Sequence, residues 1–313
     1  MNNPYQLFSH LPLSLLRIMA RMVAWLILLM PSLSINRSVH RNLQLAYPEL
    51  NAQERRQLHR QTVLNQCLTS VESVKSWAMP PDWSIKQIHT IHNQDILTNA
   101  LTNPNGMLAI VPHLGTWEMM NAWLNQFGSP TIMYKPIKGK ISNDFVLQGR
   151  QRLNATLVPT DATGVKAIFK TLKSGGFSII LPDHVPDPSG GVVVPFFNIP
   201  TLSSTLTPKL ANKTACALVG LACIRRDDNQ GFDIFCYQLD DANLYHPDAT
   251  IATSALNLTM QAMINEHKAH YMWGYRRFKY VPNINNIYQL SDDELQKIAK
   301  HYHSTQDISH ESR

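Results

Sequence analysis

Cysteine is scarce and widely scattered in this chain of 313 residues. Cys67, Cys216, Cys223 and Cys236 are the only four, and none stands at the close spacing of a zinc-ligand pair. They read as small core residues of a reducing compartment, not as a disulfide framework. Several fingerprints are missing too. The chain has no Gly-x-x-x-x-Gly-Lys loop to cradle phosphates, no Gly-x-Gly-x-x-Gly and no Gly-x-Ser-x-Gly elbow, so no motif supports a nucleotide-binding or serine-hydrolase reading. No internal repeat or low-complexity block divides it. No small-residue cleavage site follows its N-terminal apolar run, so a removed signal peptide is not expected.

What is present is a modest excess of positive charge: 28 Lys and Arg against 22 Asp and Glu, a net charge of +6. That balance suits an anionic partner, whether phosphate, an acidic protein, a membrane surface or nucleic acid. The N-terminus narrows the choice. Leu11 to Met30 is largely apolar, and twenty helical residues measure about 30 Å, the thickness of a bilayer's hydrocarbon core. Arg17 and Arg21 interrupt its first half one turn apart, where they are expected to snorkel. The segment therefore reads as a single anchor or as a helix lying partly in the interface, with a buried N-terminal helix as the alternative. Beside such a segment, the basic and aromatic run Tyr275-Arg-Arg-Phe-Lys279 favours phosphate or headgroup contact over nucleic acid.

Along the chain, Asn51-x-x-Glu54 resembles a capping box opening a long helix towards Trp77. Apolar runs at Met107–Val111, Pro130–Tyr134, Ala155–Val158 and Phe177–Leu181 read as strands. Helical stretches over 142–152 and 163–173 alternate with them, and Gly175-Gly176 stops the second. Val192–Phe197 reads as a further strand, Ser203–Lys213 as a helix, and Cys216–Ile224 with Phe232–Leu239 as a hairpin through Arg225–Gly231. A helix over 250–267 and a short one after Ser291-x-x-Glu294 complete the pattern. This alternation predicts an α/β sheet covered by helices on both faces. The expected organisation is a membrane-associated helix over residues 1–35, a single α/β domain over 36–303 and a polar tail over 304–313.

In such sheets, ligands bind beyond the carboxyl ends of parallel strands. His113 and Asp183 both follow predicted strand ends. Glu118 falls in the first turn of the next helix, which Thr116 or Gly115 is placed to cap. On one continuous helix, residues five apart would point roughly 140° away from each other. A His113–Glu118 contact therefore requires a break, and Pro112 and Gly115 supply one. If they meet, Glu118 holds one imidazole nitrogen protonated and leaves the other as a general base. The bland alternative is a junction histidine bonded to backbone and a glutamate solvated at a helix start; spacing alone leaves both open. His89/His92 and His267/His270, three apart on possible helices, lack the further ligands of a metal site.

Five blocks, in order, resemble the lipid A late acyltransferases of Gram-negative inner membranes: Asn42-Leu-x-Leu-Ala-Tyr-Pro-Glu49, His113-Leu-Gly-x-Trp-Glu118, Gly149-Arg-x-Arg152, Pro182-Asp-His…Val-Pro-Phe-Phe197 and Tyr271-Met-Trp…Arg-Arg-Phe-Lys279. The second is similar to the His-x4-Asp/Glu motif of membrane acyltransferases. Two departures stand out: Gly274-Tyr275 replaces a histidine usual before Arg-Arg-Phe, and Asp187-Pro188 replaces a usual Gly-Pro. The resemblance implies a mixed, mainly parallel sheet of the glycerolipid acyltransferase kind. It also implies an acyl carrier protein as donor, a lipid A precursor as acceptor, and a place on the cytoplasmic face of the inner membrane. His113 and Glu118 are the expected catalytic pair, with Arg150, Arg152 and Arg276 gripping phosphates and Asp183 positioning substrate. Oxyanion donors are expected from the backbone around Gly115–Trp117 or from Arg150. No metal or cofactor is required by this scheme. The competing readings are an acyltransferase for another membrane lipid (a lysophospholipid, an aminolipid or a glycosylated phosphatidylinositol) and a catalytically idle lipid-binding protein.

Overall fold

Seven strands build one sheet: β1 (Ile88–His92), β2 (Met107–Ile110), β3 (Thr131–Tyr134), β4 (Thr156–Pro159), β5 (Phe177–Ile180), β8 (Ala217–Arg225) and β9 (Phe232–Gln238). The two strands between them in sequence, β6 (Gly191–Phe196) and β7 (Ile199–Ser204), pair only with each other. The order across the large sheet is β1-β9-β8-β2-β5-β3-β4, parallel throughout except for the β8–β9 hairpin. This is the expected mixed, mainly parallel α/β sheet. The computed structural model describes residues 7–228 and 230–310. Residues 1–6 of the expected N-terminal element, Asn229 in the expected hairpin turn and residues 311–313 of the tail lie outside that description.

The chain divides into two compact units. Met1–Met22, Cys67–Leu181 and Leu210–Asp240 form the first; Val23–Gln66, Pro182–Lys209 and Asp241–Arg313 form the second. In the first, β2 is the central strand and is buried along its whole length. Met107, Ala109 and Val111 pack with Val219 and Leu221 of β8 and with Met119, Met120, Trp123 and Leu124 of the helix Trp117–Leu124. Each large apolar side chain buried there contributes roughly 1.5–3 kcal/mol. Cys216, Cys223 and Cys236 are buried, as expected of small core residues.

β1 corrects one expectation. His89 and His92 lie on a strand, not a helix; His92 stacks on Phe235, with ring centroids 4.3 Å apart. His267 and His270 are likewise outside a regular α-helix, following the end of Ala249–Glu266.

The N-terminal segment needs a larger correction. Its helix runs only from Leu13 to Leu28, and among the described residues no helix is long and apolar enough to cross a membrane. Arg17 does not snorkel: it is buried, and its Nε donates to Glu72 at 2.8 Å. Lys75 holds the preceding turn by donating to the carbonyls of Phe8, Ser9 and Leu11 at 2.8–2.9 Å. The expected spanning anchor is therefore not formed, because one face of the segment is fixed to protein. The opposite face is bare, with Ile18, Met22, Trp25, Leu26 and Leu29 each 49–62 % exposed.

In the second unit, β6 and β7 join through Phe197 and Asn198, both at positive φ. A two-residue hairpin turn of the primed kind needs that geometry. The expected helix from Ser203 accordingly starts later, at Leu206. The helix Ala249–Glu266 packs on β6, and Ser34–Ala46 packs against Asp292–His310, which runs on past the predicted end at His303. Asn42 donates to the carbonyls of Trp273 and Tyr275 at 2.6 Å each, so the first and last family-like blocks meet here.

Candidate active site

β2 ends at Ile110, and His113 follows it beyond the carboxyl end of the central strand. The turn that presents it rests on Gly115, at φ +66°. A Cβ on Gly115 would lie 2.0 Å from the Cys223 carbonyl oxygen, so only glycine lets this loop approach β8. The next amide, Thr116 N–H, donates to that same oxygen at 2.8 Å. This removes one of the backbone donors expected for an oxyanion. Thr116 occupies the N-cap position but makes no cap bond; its hydroxyl donates instead to Glu72 Oε2 at 3.0 Å. His113 is 9 % exposed and sits edge-on to Trp117, with centroids 4.9 Å apart. It lies outside the helix Trp117–Leu124 that carries Glu118, which meets the break that the spacing demanded.

Glu118 is 3 % exposed, so an ionised carboxylate there needs close partners. It has them. Trp77 Nε1 donates to Oε2 at 2.8 Å and Asn121 Nδ2 at 3.3 Å, while Arg150 reaches both oxygens, Nε to Oε2 at 3.4 Å and Nη2 to Oε1. Burial pushes the Glu118 carboxyl up, but the Arg150 charge and the bonds from Arg150, Trp77 and Asn121 outweigh it and hold the group below the ordinary carboxylate range. Arg150 is steadied in turn by the face of Tyr134, 5.5 Å from its guanidinium carbon. Gly149 lets this helix come close, since a Cβ there would stand 2.6 Å from Trp77 Cβ.

The expected basic motif therefore divides. Arg150 meets Glu118. Arg152 turns to the end of the long helix Ala52–Ala78 and donates Nη1 to the carbonyls of Trp77 and Ala78 at 3.3 and 3.0 Å. Behind the site, Glu72 accepts from Arg17 and from Arg225, whose Nε lies 2.6 Å from Oε1. Sequence reasoning did not find Glu72, Trp77 or Asn121 as partners of this site. Asn121 stands three residues after Glu118, where helical neighbours meet, and was readable. Glu72 and Trp77 carried no local signal.

In the second unit, Asp183 is 1 % exposed and hydrogen-bonds the buried Tyr271 hydroxyl. Burial, then the Asp183 charge, raises that hydroxyl well above its ordinary range, so it stays protonated as a donor. Arg277, also buried, donates to the Leu202 carbonyl at 2.8 Å and to Ser203 Oγ at 2.6 Å. Tyr275, standing where a histidine was expected, accepts from Val185 N–H at 3.0 Å and lies against His184. Arg276 stacks over Tyr288 and lines a cavity of about 210 Å³ with Arg37, Ser38 and Arg41.

The family model described as bacterial lipid A biosynthesis acyltransferase matches residues 5–280. Among curated proteins, the lipid A biosynthesis lauroyltransferase of Escherichia coli K12 is 27 % identical over 78 % of this chain and 79 % of its own length. The lipid A biosynthesis palmitoleoyltransferase of the same organism is 23 % identical over 80 % and 81 %. A lipid A biosynthesis acyltransferase of Haemophilus influenzae is 24 % identical over 78 % and 77 %.

Proposed function

This chain belongs to the bacterial lipid A biosynthesis acyltransferases, and from that premise we propose that it moves a fatty acyl chain from acyl carrier protein to a hydroxyl of a lipid A precursor. The observation that carries the chemistry is the Met107–Glu118 junction. A buried histidine stands outside a helix whose first turn holds a buried, ionised glutamate. In the proposed step, His113 takes the proton of the acceptor hydroxyl as its oxygen attacks the thioester carbonyl. The tetrahedral oxyanion collapses, the carbon–sulfur bond breaks, and His113 returns the proton to the departing thiolate. The products are an ester and the free carrier thiol. Base catalysis of this kind supplies about 10²–10⁴-fold.

In this reading Glu118, held ionised among Arg150, Trp77 and Asn121, orients His113 and stabilises the imidazolium that forms. Arg150 is a positioning residue that keeps Glu118 ionised. Arg276 grips a phosphate of the acceptor, and Asp183 orders the segment after β5 through Tyr271. Arg152, committed to helix-end carbonyls, acts through Trp77. The protein works at the cytoplasmic face of the inner membrane, with the bare apolar face of Leu13–Leu28 lying in the interface rather than spanning it.

The test is to incubate purified protein with acyl carrier proteins of several chain lengths and a lipid A precursor, reading products by mass spectrometry. The acceptor should gain one acyl mass, and His113→Ala should lose turnover while keeping its fold. Turnover retained in His113→Ala, or acylation of lysophospholipid but not of the lipid A precursor, would overturn the proposal.

A further inference from the structure

Within the second unit, two helical stretches each carry a pair of arginines four residues apart: Arg37 and Arg41 on Ser34–Ala46, Arg56 and Arg60 in the first half of Ala52–Ala78. That spacing puts each pair on one helix face. All four line a single cavity of about 870 Å³ together with His40, His59 and the apolar side chains of Trp25, Leu28 and Leu29. Four guanidiniums face one carboxylate, Asp292, which already pairs with His40 at 3.1 Å. Arg41 Nη1 is buried with no hydrogen-bond partner, and Arg37 and Arg41 also line the smaller cavity beside Arg276. Burial, then the nearby His40 and Arg60, lower the His59 imidazole to about 4.

The architecture is held for this arrangement. Asn36 donates to the carbonyls of Ile27 and Met30, ending the N-terminal helix, and accepts from His59 Nε2 at 3.0 Å. The same turn therefore fixes the last apolar side chains of that helix beside the arginines. Basic floor and apolar rim match the two ends of a phospholipid at a bilayer surface, and a tryptophan at the rim suits the headgroup level.

We propose that this cavity binds the phosphate of an anionic membrane phospholipid, as a headgroup site built from none of the residues assigned to acyl transfer at His113. Its ligand's chains lie with Trp25, Leu28 and Leu29, and the arginines neutralise the phosphate as bidentate donors. The inference does not depend on which acyl acceptor the protein uses.

Co-sedimentation of the full chain tests it, with vesicles of phosphatidylcholine alone or containing a minority of phosphatidylglycerol, at physiological ionic strength. Arg56→Gln/Arg60→Gln removes two exposed charges; Lys166→Gln/Lys170→Gln on the helix Ala162–Lys173 removes the same charge at the same spacing. Two basic residues at a charged surface are equivalent to about thirty-fold in partition, or about 2 kcal/mol. The arginine variant should lose about that much of its phosphatidylglycerol-dependent binding, with circular dichroism unchanged. The lysine variant should lose less than about two-fold, since it lies outside the cavity. Equal losses in the two variants would overturn the proposal by making attraction diffuse. So would inorganic phosphate raising the Tm of the parent but not of the arginine variant while vesicle binding stays equal, because the ligand is then free phosphate. Arginine-dependent binding of an acidic carrier protein, with none to vesicles, would overturn it as well. If Arg56→Gln/Arg60→Gln does not fold, Arg37→Gln set against Lys166→Gln carries the comparison, with about a five-fold loss expected.

Discussion

Glu72→Ala is the perturbation that most directly tests how the site is held. Glu72 is fully buried, and its carboxylate receives two buried guanidiniums, Arg17 at 2.8 Å and Arg225 at 2.6 Å, together with the Thr116 hydroxyl at 3.0 Å. Removing one member of a buried ion pair costs about 3–5 kcal/mol, because its partner's charge stays in the interior without compensation. Here two cations lose one shared anion, so the upper half of that range applies. Against a total stability of about 5–15 kcal/mol this is severe, and it lowers Tm by about 6–14 °C for a chain or unit of this size. Thr116 also loses the bond that fixes it immediately before the Trp117–Leu124 helix, so kcat should fall along with Tm. Calorimetry and acyl-transfer rates on the purified variant read both. A control separates charge from shape: Arg17→Met/Glu72→Met/Arg225→Met removes all three charges and should recover most of the lost stability, since well-packed apolar replacements of buried ion triads are often neutral or better. A Tm within about 1 °C of the parent for Glu72→Ala would refute the reasoning, and so would a triple variant less stable than the single one.

Gly115→Ala should be worse than its size suggests. A positive φ costs an alanine about 1 kcal/mol, and a Cβ 2.0 Å from the Cys223 oxygen must displace β8, so a total near 3 kcal/mol or more is expected in denaturant melts. Glu118 has its carboxyl held below its ordinary value of 4.5, so its contribution is complete above that pH and is lost as pH falls through the depressed value. Glu118→Gln should therefore be less stable than the parent at pH 7, with the gap closing in acid. Arg150→Met removes the largest opposing influence on a buried carboxyl, and the acid limb of activity should move to higher pH in a rate profile. His59, lowered to about 4, works in the other window: the unfolded chain takes up its proton below the ordinary value of 6.5 while the folded chain does not. Stability should thus decline from that pH downward, less steeply in His59→Gln, as read by melts across the range.

Local patterns account for much of this structure. Met107–Ile110, Thr131–Tyr134, Thr156–Pro159 and Phe177–Ile180 are short apolar strands between turn residues, and each was legible within one or two positions. The Asn51–Glu54 capping box is present as read, with Asn51 Oδ1 accepting from Glu54 N–H at 3.0 Å and Glu54 Oε2 accepting from Asn51 N–H at 2.9 Å. His113 was legible because Pro112 and Gly115 are punctuation that a chain uses where backbone must leave regular structure. β1 was not, since Ile-His-Thr-Ile-His is equally compatible with a helix until its parallel partner β9 is known. β7 was hidden by its turn: Phe197-Asn198 adopts the left-handed conformations that Asn-Gly usually marks.

The buried charges were the least legible features, and the reason is physical. An arginine in an apolar run at the N-terminus has two low-energy resolutions, reaching out to the headgroups or pairing inside the protein, and only the partner decides between them. Arg17 finds Glu72 at a separation of 55 residues, across a sequence distance over which no periodicity carries information. Arg150 poses the same problem with the opposite expectation. In Gly149-Arg-x-Arg152 it looks like a free cation for phosphate, yet a glutamate 32 residues earlier needs it, because Glu118 cannot stay charged in a dry site without a neighbouring positive charge. Folding thus gives these arginines two kinds of surroundings. Arg17, Arg150 and Arg225 pair with buried carboxylates around the His113 junction. Arg37, Arg41, Arg56 and Arg60 share their cavity with one carboxylate already bonded to His40. Cations therefore outnumber anions at that cavity, where an anionic ligand lowers the free energy.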